Sequence, residues 1–142
     1  MDKVSINFDM EPVAKGRPRV TRTGHAFTPA KTRKAEEHIV QVAREAMSAF
    51  GVPPWQGPLK VVIRMWFKRP KSNKSKWHIQ RPDADNCAKL VLDGCNGIVW
   101  GDDSQIVELT VKKLWHTYGY IEMDVYTVEQ GGHHEDGQEA RS

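Results

Sequence analysis

Between Arg81 and Ser104 the chain carries five aspartates, Asp83, Asp85, Asp93, Asp102 and Asp103, and a single lysine, Lys89. Carboxylates gathered at one point repel each other unless a divalent cation neutralises them. Oxygen donors with no histidine and no thiolate pair beside them select Mg²⁺ or Mn²⁺ over zinc. A metal held by carboxylates beside a basic surface suits phosphodiester hydrolysis, where negative charge develops on the phosphate and the leaving oxygen. Lys89 would add positive charge near that phosphate or activate a water. Each residue also has an ordinary structural role. Asp83 follows Pro82 as a helix N-cap candidate, Asp85 suits a first helical turn, and Asp102 and Asp103 follow Gly101 as turn residues. Asp93 reads as a solvated helix side chain. Lys89 lies four residues after Asp85, spacing that allows a surface pair worth about 0.2–0.5 kcal/mol.

The elements around these residues must bring the later aspartates back to the earlier ones. Residues 83–97 predict a helix that starts near Asp83 to Asp85 and ends at Asn96–Gly97. The return GIVWGDD would then carry Asp102 or Asp103 toward Asp83 and Asp85. Residues 3–10 alternate Val4, Ile6 and Phe8 with polar residues, the period of a half-buried strand. Residues 11–30 hold Pro, Gly and Thr without helical period and read as a loop or irregular hairpin. Ile39, Val42, Ala43, Ala46 and Met47 set an apolar stripe on a helix over 31–50, stopped by Gly51 and Pro53–Pro54. Residues 59–68 are β-branched and aromatic, a second strand. Residues 105–116 make a third strand, and Gly119 turns the chain into a fourth, 120–128, expected to pair with it as a hairpin. The fold class expected is α/β (α+β, two-layer): a small mixed sheet of about four strands with two main helices. One domain over 1–128 and a disordered polar tail over 129–142 complete it.

Charge distribution adds a partner class. From Pro12 to Ala35 there is no acid, but Lys15, Arg17, Arg19, Arg22, Lys31, Arg33 and Lys34 are positive. From Ala46 to Pro82 there is again none, and Lys71, Lys74, Lys76 and Arg81 lie in the loop that leads to Asp83. Set aside the four acids and one arginine of the tail, and the body carries 20 basic and 14 acidic residues, +6 against +3 for the whole chain. Basic loops of this kind can be solvated surface; two acid-free runs favour a polyanion, whose counterions they would release. Trp77 and His78 lie in the second run and suit either stacking on an unpaired base or anchoring the loop, with anchoring favoured for Trp77. Cys87 and Cys95, about 12 Å apart along one helix, are too distant for a disulfide and fit a reducing cytoplasm. No run approaches the roughly 18 apolar residues of a membrane helix.

At Asp83, Asp85, Asn86 and Lys89, followed by DGCNGIVWGDDSQIV, the sequence resembles the RusA family of Holliday junction resolvases. The family pattern is Asp-x-Asp-Asn with a lysine four residues after the second Asp, then a short helix and a Gly-rich return to an Asp-Asp pair. KGRPR, Lys15 to Arg19, resembles the basic N-terminal segment of many members, so the likeness covers most of residues 4–126. The resemblance implies a bacterial or phage-encoded Mg²⁺-dependent endonuclease, with Mn²⁺ able to substitute, acting as a homodimer on four-way junction DNA in recombination and repair. Carried over, Asp83, Asp85 and Asp103, with Asp102 as the alternative third ligand, would hold metal, and Lys89 would be the catalytic lysine. Lys15, Arg17, Arg19, Arg22, Lys71, Lys74, Lys76 and Arg81 are the expected DNA contacts. Two other readings remain: a DNA-binding protein whose aspartates only cap helices and turns, and a nuclease acting on another branched DNA or on RNA.

Overall fold

The computed structural model describes residues 2–16, 19–20, 22–24, 26–27 and 29–129. Arg17 and residues 130–142 of the expected tail lie outside them, and Arg19 is described only by its backbone. The elements run in the order β1 (Lys3–Phe8), β2 (Arg19–Val20), β3 (Ala26–Phe27), α1 (Ala30–Phe50), β4 (Leu59–Lys68), α2 (Ala84–Cys95), a single 3-10 turn (Asp103–Gln105), β5 (Ile106–His116) and β6 (Tyr120–Thr127). The small β2–β3 pair is the irregular hairpin expected within 11–30. The predicted α+β architecture holds: two helices and a mixed four-stranded sheet.

Strand order is β1-β6-β4-β5, with β4 parallel to β5 and antiparallel to β6. The expected hairpin between 105–116 and 120–128 is therefore wrong. β6 crosses the end of β4 and takes its other side, between β4 and β1. Residues 117–119 reach that far because two strand spacings are only about 9.6 Å. The physical reason lies in β4. LKVVIRMWFK is the most apolar strand and gains most from neighbours on both sides, whereas β5, with Glu108, Lys112 and Lys113, tolerates an edge.

Val4, Ile6, Phe8, Val61, Ile63, Met65, Ile121, Met123 and Val125 alternate onto one sheet face and pack with Ile39, Ala43, Met47, Leu90 and Val91 of the helices. α1 and α2 approach closely at Gly94, where a Cβ would sit 2.6 Å from Ile39 Cγ2. Gly97, at φ 79°, turns the chain out of α2 into the return toward Asp103. Cys87 and Cys95 are buried free thiols. Among the described residues no helix is long and apolar enough to cross a membrane.

On the other sheet face, buried Asp124 accepts from Ser5 Oγ at 2.6 Å and from Arg64 at 3.0 Å. Burial raises the Asp124 carboxyl, but these two hydrogen bonds more than offset it and hold it below its ordinary value. A depressed carboxyl contributes stability above its unfolded pKa of about 3.9, which is lost as pH falls through the folded value. Arg64→Met should cost about 1–3 kcal/mol near neutrality. The gap from wild type in urea unfolding should shrink below pH 4 as Asp124 protonates; a gap constant with pH would contradict this role.

Candidate active site

α2 exists because Cys87, Ala88, Leu90, Val91, Gly94 and Cys95 form a buried face. Its opposite face then presents Asp85, Lys89 and Asp93 at successive turns, since residues four apart are neighbours on a helix. These three, with Asp103 from the 3-10 turn and Leu109 and Val111 from β5, line a cleft of about 550 Å³. The two early aspartates separate here. Asp85 lines the cleft, while Asp83 borders a smaller recess with Ala14, Arg81, Pro82 and Asn86. Asp83 occupies the N-cap position of α2, yet its side chain makes no capping bond. The helix therefore does not account for that carboxylate.

The later pair also divides. Asp102 Oδ2 accepts from Ser104 N–H at 2.9 Å, and Gln105 Oε1 accepts from Asp102 N–H at 2.8 Å, a reciprocal cap of the 3-10 turn. Hydrogen bonding from the Ser104 side chain, and then from its backbone N–H, holds the Asp102 carboxyl below its ordinary value. Gln105 also donates to Trp55 O and Gly57 O, fixing the turn against the start of β4. Asp103 is half-buried in the cleft, with Oδ1 accepting from Trp100 Nε1 at 2.7 Å. Burial raises its carboxyl; the Trp100 bond and Lys89 counter this, while the charges of Asp93 and Asp102 add to it. Lys89 is exposed and pairs with no carboxylate among the described residues, so the surface pair with Asp85 does not form.

Asp93, read from sequence as a solvated side chain, is a cleft residue that accepts from Lys15 Nζ. The same ammonium reaches Glu36 of α1 at 3.3 Å, and Lys15 N–H donates to Asn86 O at 3.1 Å. These contacts raise the Lys15 pKa, the Asp93 bond first. Lys15 thus staples the N-terminal segment across α1 and α2 rather than standing free. The spacing 85, 89, 93 carries the signal that Asp93 shares the face of Asp85; nothing local announces Trp100 or the Lys15 pairing.

In the basic loop, Lys71 and Lys74 are exposed, and Lys76 Nζ lies 5.0 Å from the Trp77 ring. Arg22 and Arg81 are exposed. The anchoring role expected of Trp77 belongs to its neighbour. Trp77 is 46% exposed, whereas His78 is buried, stacked on Phe67 with ring centroids 3.7 Å apart. Side chains alternate along this extended strip, so one faces in and the next out. Burial lowers the His78 pKa.

Among the described residues no three His, Cys, Asp or Glu side chains converge to hold a metal. The donors in the cleft nevertheless fit Mg²⁺, which is commonly bound by one or two carboxylates together with waters and substrate phosphates. Residues 9–126 match the family model described as endodeoxyribonuclease RusA. The chain is also 30% identical over 143 residues to the uncharacterized protein YqaN of Bacillus subtilis (strain 168), an alignment that covers 90% of this chain and 99% of that one.

Proposed function

The chain belongs to the RusA endodeoxyribonuclease family, whose members act on junction DNA, and from that premise we propose that it is a Mg²⁺-dependent resolvase making paired, symmetric nicks in four-way junctions. The observation that carries the proposal is the cleft lined by Asp85, Asp93, Asp103 and Lys89, the last in no ion pair among the described residues, beside a loop of exposed cations. Asp85 and Asp103 would hold the cation, with Asp83 contributing from the start of α2 and Asp102 confined to capping. A bound Mg²⁺ or Mn²⁺ supplies Lewis-acid stabilisation of phosphate charge and a more acidic water. Lys89 places its ammonium against the scissile phosphate. Lys71, Lys74, Lys76, Arg22 and Arg81 neutralise flanking phosphates. Arg17 and Arg19 are proposed, from the sequence, to add to this phosphate-binding charge.

Two strands of like polarity must be cut at symmetric positions, which a homodimer with twofold symmetry does with two equivalent sites. The setting is recombination and repair in a bacterial cytoplasm, with the gene chromosomal or carried by a phage. A substrate panel tests the reading: four-way junction, linear duplex, flapped duplex and duplex RNA at equal concentration. Cleavage confined to the four-way junction supports it. Preferential cutting of the flap or RNA would replace the substrate and keep the chemistry. Binding without cleavage under any divalent metal would leave a non-catalytic DNA-binding protein.

A further inference from the structure

The N-terminal segment brings an ammonium to the side of the cleft and is pinned to both helices where it does so. Lys15 N–H donates to Asn86 O of α2 at 3.1 Å, and Gly16 N–H to Oγ1 of the buried Thr32 of α1 at 2.9 Å. A Cβ at Gly16 would sit 2.6 Å from Thr32 Oγ1 and 3.3 Å from Pro29, so glycine is what lets the main chain lie this close to α1. From these anchors Lys15 Nζ reaches Asp93 Oδ2 of α2 and Glu36 Oε1 of α1. Two carboxylates from different helices thus share one positive group. A divalent ion asks the same of a protein, with waters completing its shell. The other two carboxylates of the cleft pair with no cation among the described residues. Asp85 Oδ1 accepts from Asn86 N–H and Asp103 Oδ1 from Trp100 Nε1, which leaves the second oxygen of each uncommitted there.

We propose that Lys15 is a resident second cation of this site: its ammonium fills the place between Asp93 and Glu36, so the cleft takes one divalent ion, on Asp85 and Asp103, and not two. The proposal rests on the nuclease reading above. In two-ion sites the metals stand about 3.5–4 Å apart and stabilise the attacking and the leaving oxygen together. An ammonium already on Asp93 repels a second ion brought to the same carboxylate, and the repulsion doubles with the charge of that ion. Lys15 also decides what Lys89 does. Lys89 and Asp93 are four residues apart on α2, the spacing of a helical ion pair. Asp93 pairs with Lys15 instead, so the Lys89 ammonium stays available to a phosphate. Lys15 itself touches neither the ion nor the substrate; it is a positioning residue that keeps Asp93 out of the metal shell.

Titration of the full chain with Mn²⁺ alone, free ion being followed by electron paramagnetic resonance, tests this without cleavage or DNA. Ions bound elsewhere on the chain are common to all variants and cancel in the comparison. Wild type should hold one ion that Asp85→Asn loses. Asp93→Asn keeps an oxygen for Lys15 and therefore the fold; it should keep the wild-type count, with a dissociation constant raised by about tenfold or less, the scale of one more distant charge. Lys15→Ala should bind one ion more than wild type, because Asp93 and Glu36 lose their shared cation, and Lys15→Ala/Asp93→Asn should not. The main-chain bonds of Lys15 and Gly16 do not involve the deleted side chain, and unchanged circular dichroism checks that the segment stays in place. An Asp93→Asn variant that loses an ion would overturn the proposal by making Asp93 a ligand. So would a folded Lys15→Ala variant with the wild-type count. If Asp85→Asn removes no ion from wild type, the carboxylate-held metal falls, and this proposal with it.

Discussion

Asp103→Asn should leave the protein folded and its junction affinity unchanged or tighter, while slowing cleavage by roughly 10²–10³-fold, the scale of losing one preorganised electrostatic contact. The fold survives because asparagine keeps an oxygen at Oδ1 to accept from Trp100 Nε1. Binding survives because the change removes a negative charge from a cleft that phosphates must approach. The wild-type carboxyl is raised first by burial, so its protonation begins above the ordinary carboxylate range. Only the ionised form serves a cation, so cleavage should fall on the acid side at a pH above that expected of a free aspartate. Single-turnover rates across pH, beside melting curves, check both parts. If Asp103→Asn melts about 4 °C or more lower, on the order of 1 kcal/mol for a domain near this size, and loses binding too, the residue is structural.

Trp100→Ala should be the most destabilising single change, costing about 3–5 kcal/mol as a large buried aromatic is cut to a methyl. Trp100 is fully buried, accepts from Gly97 N–H at 2.9 Å through its carbonyl, and bridges to Trp55 and Asn96. It therefore ties the end of α2 to the turn that presents Asp103. Against a total of about 5–15 kcal/mol such a loss leaves little reserve. The melting temperature should drop by roughly 10–20 °C, with binding and cleavage failing together near it. That pattern differs from Asp103→Asn, which separates them. Trp100→Phe refines the test: it retains most of the apolar volume but removes the donor to Asp103, so the acid limb of cleavage should move to higher pH with a much smaller loss of stability. A Trp100→Ala variant melting within about 2 °C of wild type, under 1 kcal/mol, would mean that the turn is held by other contacts.

The local elements were legible because their signals are local. The apolar run 59–68 coincides with β4, and the stripe from Ile39 to Met47 lies on α1, ended by Gly51 as expected. Asn96–Gly97 closed α2 for the same reason. What the pattern did not contain was the order of strands. β5 and β6 read as a hairpin because three residues join them, but pairing is decided by which strand gains most from two neighbours, a property of the whole sheet. The site divided along the same line. Asp85 and Lys89 follow from helical spacing, whereas Asp102 and Asp103 are adjacent and chemically identical; only the bond to Ser104 and the Trp100 donor distinguish them. Lys15 sat in a basic run whose charge suggested a polyanion; its tertiary contacts with Asp93 and Glu36 could not be read from that run. Trp77 and His78 exchanged roles because neither residue type reveals which way an extended strip faces.

The most direct measurement is cleavage of a synthetic four-way junction labelled on all strands, with Mg²⁺ and with EDTA, by the wild-type protein and by Asp85→Asn. Asp85 is exposed, and among the described residues its side chain accepts only from the neighbouring Asn86 N–H, so asparagine there should not disturb the fold. Coincident nicks in two strands of like polarity at symmetric positions are expected, absent in EDTA and in the variant, with binding retained in both. Cleavage that persists in EDTA, or an Asp85→Asn variant that cuts as fast as wild type, would contradict a carboxylate-held metal in this cleft.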